Sequence, residues 1–287
     1  MRFHYQIGMC ESDHYLPLVK AAEDAGYDGI TIPDSLCYPE VGDPAYPYNA
    51  DGSREFLDGV PFLESLIAVA AMAAVTKKIR FATFVYKLAI RQAASVAKQV
   101  QSIQQLSHNR FDFGVGISPW REDFAVTQVP WEKRGKRLDE QIDIIKGLDS
   151  GEYFSYKNEI HDLPSLKMCP VPTIPTPILV GGHADVALRR AAKHDGWMCA
   201  GATMEELNTY LTRLNELRDE YGTADKPYRV FTTGANAFTK DGLGELENLG
   251  VTDVIIGFRN VYEFEEDKEL PEKIDMLNWY AGEFINS

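Results

Sequence analysis

A chain of 287 residues is long for one ordinary domain but usual for an α/β barrel, which takes roughly 250 residues plus insertions. Hydrophobic residues make up 45% and charged residues 25%, so a large core can be buried and general disorder is excluded. A formal net charge of −14 argues against nucleic acid or an anionic membrane as partner, because both need a basic face, yet it permits a local basic pocket.

Short β-rich runs alternate with longer helical patterns along the whole chain. Strands are predicted at 3–7, 29–32, 79–85, 111–116, 178–181, 197–199, 229–232 and 254–257. Helices are predicted at 13–25, 61–75, 91–107, 131–149, 184–194, 204–221, 241–249 and 271–284. Strict alternation implies a parallel sheet with crossover helices, and a count of eight favours a closed (βα)8 TIM barrel over an open doubly wound sheet. The expected fold is α/β, a single domain over 1–287, with loop insertions after strand 2 (35–59) and before strand 5 (152–175). The first insertion is rich in Pro, Tyr, Asp and Gly. The second carries Tyr153-Phe154-Ser155-Tyr156, the alternation of a small hairpin. Loops this long in a compact domain serve as lids or binding loops.

Glycines punctuate the helix-to-strand junctions. Gly26 and Gly250 follow related helix ends, where a left-handed residue lets the chain turn back, and Asp28-Gly29 and Asp195-Gly196 precede strands. That face of a barrel serves stability, so their expected role is structural. No segment approaches ~20 consecutive apolar residues, and MRFHYQIGMCES lacks a signal-peptide core. Cys10, Cys37, Cys169 and Cys199 are far apart with no CxxC, which fits reduced thiols better than disulfides or a metal site. A cytoplasmic protein without a metal is expected.

Several stretches could carry chemistry. Pro177-Ile-Leu-Val-Gly181-Gly182-His183-Ala184-Asp185 runs from a strand through two glycines into a helix. It reads either as a backbone cradle for a phosphate or as a tight turn without a ligand. In Arg110-Phe-Asp-Phe-Gly114-Val-Gly116-Ile117-Ser118-Pro119-Trp120, the two glycines alternate to one side and remove volume. Either a flat ligand or the barrel's own packing could fill that space, and Trp120 would then wall a ring or cap the mouth. Asp34-Ser35 closes strand 2 and Thr83-Phe84-Val85-Tyr86 closes strand 3, both at the functional face. The basic run Lys133-Arg134-Gly135-Lys136-Arg137 is either an internally paired helical face or a site for an anionic cofactor tail. HExxH, GxSxG and paired-carboxylate patterns are lacking, which removes support for metalloprotease, α/β-hydrolase and glycosidase chemistry.

In order and spacing these segments resemble the luciferase-like monooxygenase superfamily, and within it the F420-dependent oxidoreductases. The carriers are IRFATFVYKLAIRQAASVAKQ, LSHNRFDFGVGISPWREDF, RGKRLDEQIDIIKGL and PVPTIPTPILVGGHADVALRRAAKHDGW. The resemblance implies a tricyclic cofactor across the carboxyl face and a non-prolyl cis peptide at Phe84-Val85. It places Asp34, Thr83, Phe84, Val85, Ile117 and Ser118 around the ring, with Trp120 beside it, and Gly181, Gly182, His183 and Ala184 at the phosphate. The cofactor implied is coenzyme F420, with FMN as the alternative. Many relatives carry Asp-His at the end of strand 2, where this chain has Asp34-Ser35. A serine cannot supply a proton near neutral pH as an imidazole does. Ser35, Tyr86 and His4 remain as weak catalytic candidates, together with Tyr38.

The function implied is hydride transfer between F420 and a small organic substrate. The alternatives are an FMN monooxygenase, which alone would need a separate flavin reductase, and a non-catalytic flavin- or F420-binding protein. Relatives in this superfamily often form homodimers.

Overall fold

A computed structural model of the chain describes residues 1–41, 52–259 and 267–287. In chain order it contains β1 (Arg2–Gln6), α1 (Tyr15–Ala25), β2 (Gly29–Ile32), α2 (Ser65–Ala74), β3 (Arg80–Thr83), β4 (Tyr86–Lys87), α3 (Ala93–Ser107) and β5 (Phe111–Gly116). Next come α4 (Arg121–Val126), α5 (Arg134–Leu148), β6 (Phe154–Lys157), β7 (Asp162–Leu166), β8 (Ile178–Gly181), α6 (Asp185–Ala191) and β9 (Gly196–Cys199). The chain continues through α7 (Met204–Glu220), β10 (Arg229–Thr233), α8 (Lys240–Asn248), β11 (Asp253–Ile256) and α9 (Leu270–Tyr280).

Among the described residues the strands pair in parallel in the order β3-β2-β1-β11-β10-β9-β8-β5, and β3 pairs β5 to close the ring. The eight-stranded barrel and its surrounding helices match the expected TIM architecture. The predicted hairpin is present as the antiparallel pair β6–β7. Of the 35–59 insertion, residues 42–51 lie outside the described residues.

The departures from the predicted elements have local causes. The strand expected at 79–85 divides into β3 and β4 around a cis Phe84-Val85 peptide, as the resemblance implied. The helix expected from 131 starts at Arg134, because Lys133 takes a left-handed φ of 56°. The helix expected from 61 starts at Ser65, where the Glu64 carboxylate accepts from Ile67 N–H at 2.8 Å. The six-residue α4 was not anticipated, being too short to show a helical period. Gly26 and Gly250 have φ of 96° and 94°, the left-handed turn their positions required. The Asp28 and Asp195 carboxylates accept from Phe3 and Ile178 backbone N–H, tying each junction to the strand beside it. Among the described residues no helix is long and apolar enough to cross a membrane.

The main apolar core lies between strands and helices, with Leu18, Val69, Val100, Ile142, Leu188 and Leu277 facing Ile30, Phe113 and Val180. Inside the barrel a smaller cluster of Ala82, Leu179, Met198, Phe231 and Ile255 is topped at the carboxyl end by Phe84 and Val85.

Below that cluster, at the amino-terminal end, the barrel is filled by charge. Arg229 bonds both Asp112 and Asp253, Arg80 bonds Asp112, and Asp253 also accepts from His4 Nε2 at 2.7 Å and Arg2 at 2.8 Å. Both aspartates are fully buried. Burial alone would raise their carboxyls, yet Arg229 and Arg80 hold Asp112, and His4 and Arg229 hold Asp253, below the usual carboxylate range. Their stabilising contribution is therefore complete above the unfolded-state value, ~3.9, and is lost as pH falls below it. Arg229→Met is expected to destabilise the fold by about 3–5 kcal/mol in urea denaturation at neutral pH, because it takes from two buried carboxylates the guanidinium they share. On acid titration the variant should unfold at a higher pH than the parent.

Candidate active site

The carboxyl mouth is organised by the break in the third barrel strand. β3 pairs β5 only at Phe81 with Phe111 and Ala82 with Asp112, and β4 resumes the pairing at Tyr86 with Val115. Between them the chain bulges inward. A side chain on Gly114 would begin 1.9 Å from the Thr83 carbonyl oxygen, so only glycine allows this approach, and Thr83 Oγ1 donates to the Gly114 carbonyl at 2.7 Å. Val85 then settles into two further notches. A Cβ on Gly116 would lie 2.7 Å from Val85 Cγ2, and one on Gly181 would lie 2.8 Å from Cγ1. The alternating glycines do remove volume, but the protein itself fills it. What remains presented at the mouth is the half-buried pair Phe84 and Val85, above the barrel's inner apolar cluster.

A polar frame surrounds this bulge. Asp34, buried at the end of β2, receives Arg91 at 2.7 and 2.9 Å and the Lys87 backbone N–H at 2.8 Å. It thereby clamps the strand-2 end to the far side of the bulge. Lys87 sends its ammonium to Asp123 at 2.7 Å and lies 4.4 Å from the Trp120 ring centroid. Ser118 donates to the same Asp123 oxygen and receives Trp120 N–H. The other Asp123 oxygen, Oδ1, is buried without a partner among the described residues. Arg54 covers Trp120 at 5.1 Å and bonds Glu122 at 3.2 Å. Trp120 packs with Met9 and Leu57, fastening the described end of the first insertion to the mouth.

On the opposite side, β8 ends in the Gly181-Gly182 turn. Gly182 has φ of 121°, and its carbonyl accepts the Trp197 indole N–H at 2.8 Å. His183 stacks on Tyr210 with centroids 5.1 Å apart and places Nε2 3.4 Å from Cys199 Sγ. Burial pushes its pKa down, so the ring is neutral at physiological pH. Ala184 follows, exposed, before α6. Because Val85 packs on Gly181, the bulge and this turn are in direct contact.

The site residues expected from the sequence therefore separate. Phe84, Val85, Ile117, Gly181, Gly182, His183 and Ala184 present surface at the mouth, whereas Asp34, Thr83, Ser118 and Trp120 are buried and shape it from behind. Ser35 stands half-buried just past β2, and Tyr38 is exposed beyond it. His4 belongs to the charged network at the other end of the barrel, which removes it from the mouth. Tyr86 is buried under the Arg91 guanidinium and donates to Glu64 at 3.2 Å, and burial drives its pKa upward, so it stays protonated near neutral pH. Lys87, Arg91, Asp123 and Tyr210 were missed. The first three lie inside the motifs that carry the resemblance, but their partners are distant in sequence.

The sequence model of luciferase-like monooxygenases matches residues 11–242. The chain belongs to the luciferase-like monooxygenase family. An uncharacterised protein of Mycobacterium tuberculosis (strain H37Rv) is 50% identical over 286 residues, covering 99% of each chain. An F420-dependent glucose-6-phosphate dehydrogenase of Amycolatopsis mediterranei is 25% identical over 193 residues, 66% of this chain and 53% of its own. Among solved structures, the coenzyme F420-dependent tetrahydromethanopterin reductase of Methanopyrus kandleri superposes with a TM-score of 0.76 at 14% identity, covering 99% of this chain and 98% of its own. That last likeness is one of fold.

A luciferase-like mouth built this way ties Val85 to Gly116. Gly116→Ala is expected to destabilise the protein by about 1–3 kcal/mol through overpacking. Val85→Ala in the same chain should recover most of that loss, read as a coupling in a double-mutant cycle of urea denaturation. Simple additivity would show that Val85 does not occupy the notch.

Proposed function

We propose that this protein is an oxidoreductase that holds a flavin-type cofactor at the barrel mouth, and that the cofactor is F420. The observation that carries the reading is the contact between the Phe84-Val85 bulge and the Gly181-Gly182 turn. An apolar platform adjoins a stretch of backbone with no side-chain volume, which fits a flat ring continued by a phosphate. F420 is favoured over FMN by the F420-dependent relative and by the F420-dependent reductase of the same fold. FMN remains the second reading, supported by the family's description as monooxygenases.

Bound there, F420 would supply hydride transfer to or from a small organic substrate. Val85 and Phe84 would support one face of the ring and exclude water from it. The Gly182 backbone would approach the phosphate closely, with the neutral His183 beside it. Ser118, its hydroxyl proton committed to Asp123, would fix the β5 loop next to Ile117. The end of β2 offers Ser35 and no imidazole, so the chain does not supply the general acid that many relatives place there.

Titration of the full chain with F420 and with FMN, followed by cofactor fluorescence, tests the reading. F420 should bind at micromolar concentration and FMN at least about tenfold more weakly, a gap of roughly 1.4 kcal/mol. The reverse order would transfer the proposal to FMN, and failure of both would remove the cofactor. Gly182→Val, which cannot keep a φ of 121° without strain, should weaken F420 binding about tenfold, while a lowered but still cooperative melting transition shows that the barrel remains folded.

A further inference from the structure

The basic run at the start of α5 is sorted by its contacts. Lys133 and Lys136 both bond Glu159, and Arg137 donates to the carbonyls of Pro130 and Glu132. Nearby Arg190 is held by Asp139. Arg134 has no carboxylate partner among the described residues, and neither does Arg121 at the start of α4. Instead both guanidiniums lie over the Trp131 ring, at 3.7 and 4.7 Å from its centroid. Trp131 meets Phe124 of the core edge-on at 5.1 Å, which fixes the platform. Burial, and then the like charge of Arg121, push the Arg134 pKa down, so each arginine is a poor neighbour for the other. In a chain with 43 acidic and 29 basic residues, two adjacent arginines without an acidic partner run against the composition.

Their position gives the pair a use. Arg121 lies four residues beyond Ile117. A side chain at position 135, next to Arg134, would begin 3.8 Å from Ile117 Cδ1, and the Gly135 carbonyl accepts from Arg190 of α6. The pair therefore stands on the rim between the β5 loop and the helix that follows the Gly181-Gly182 turn.

We propose that Arg121, Trp131 and Arg134 form a second anion site, which takes the oxyanion groups of a cofactor tail leaving the mouth. The inference rests on the F420 reading, since F420 carries a phosphodiester and glutamyl carboxylates whereas FMN ends at one phosphate. Each guanidinium offers a planar fork to a carboxylate or phosphate, and the ring holds both forks in place before the ligand arrives. A partner anion would also relieve the repulsion between them.

The test compares the full chain with its Arg121→Gln/Arg134→Gln variant, which keeps much of the packing on Trp131 and removes both charges. The ligands are F420, its tail-less deazaflavin chromophore and inorganic tripolyphosphate, the last followed by tryptophan fluorescence. The parent should bind F420 about tenfold or more tightly than the tail-less chromophore, and this preference should shrink with added salt. In the variant the preference should fall to near unity at unchanged melting temperature. Equal binding of the two chromophores by the parent, or an undiminished preference in the variant, would overturn the site while leaving the F420 reading intact. If the parent binds neither chromophore, the F420 reading falls and tripolyphosphate decides the cluster. A saturable quench lost in the variant upholds an anion site, and no quench overturns it.

Discussion

Between Ala82 and Tyr86 the third barrel strand parts from β5, and the neighbouring strands have to make room for it. Three glycines do so. Gly114 admits the Thr83 carbonyl, while Gly116 and Gly181 admit Val85. These contacts are backbone against backbone or methyl against Cα, so close packing leaves them little latitude. The ring closes only because the fifth strand has no side chains at those two positions. The same interlock decides which residues face the mouth, and it brings the strand-3 bulge against the turn that ends β8. Asp34, Arg91 and Lys87 then secure the bulge from outside.

The opposite end of the barrel is governed by electrostatics rather than shape. Arg229 serves Asp112 and Asp253 together, with Arg80, Arg2, His4 and the Thr252 hydroxyl as further partners. Inside a low-dielectric barrel such a network is stabilising only when each charge is matched, because desolvation is costly. Barrels commonly separate a stable amino-terminal end from a variable carboxyl end. Here the separation has a chemical form, with buried ion pairs below, an apolar layer between, and a glycine-framed bulge above.

Much of this was legible in the sequence, for reasons that also mark where legibility ends. Short β-rich runs alternating with longer helical patterns located the barrel strands and most helices, and Gly26 and Gly250 announced their left-handed turns. The Gly114-Gly116 spacing signalled missing volume but not its occupant, since Val85 is 31 residues from Gly116 along the chain. His4 and Tyr86 looked like candidates because they sit in barrel strands. Only the closed barrel shows that one points to the charged end and the other is sealed beneath Arg91. Pairs such as Lys87 with Asp123 and Asp34 with Arg91 join residues 36 and 57 positions apart, and no local pattern encodes them. Of the basic run 133–137, Lys133, Lys136 and Arg137 bond carboxylate or carbonyl oxygens among the described residues, whereas Arg134 lies over the Trp131 ring.

The parallel pairing of β1 with β11 has a bearing on how the chain is made. His4 and Asp253, which meet at the barrel floor, are separated by 249 residues. During synthesis β1 can pair early with β2, but its other edge and its buried imidazole wait for a partner translated much later. Until then the nascent sheet is an open one, with an unpaired strand edge and an Arg229 that has Asp112 but not Asp253. Non-local closure of this kind is slow and exposes the edge to other chains. The cell therefore meets this barrel first as an incomplete sheet, and the interval before closure is when it is most vulnerable to misassembly.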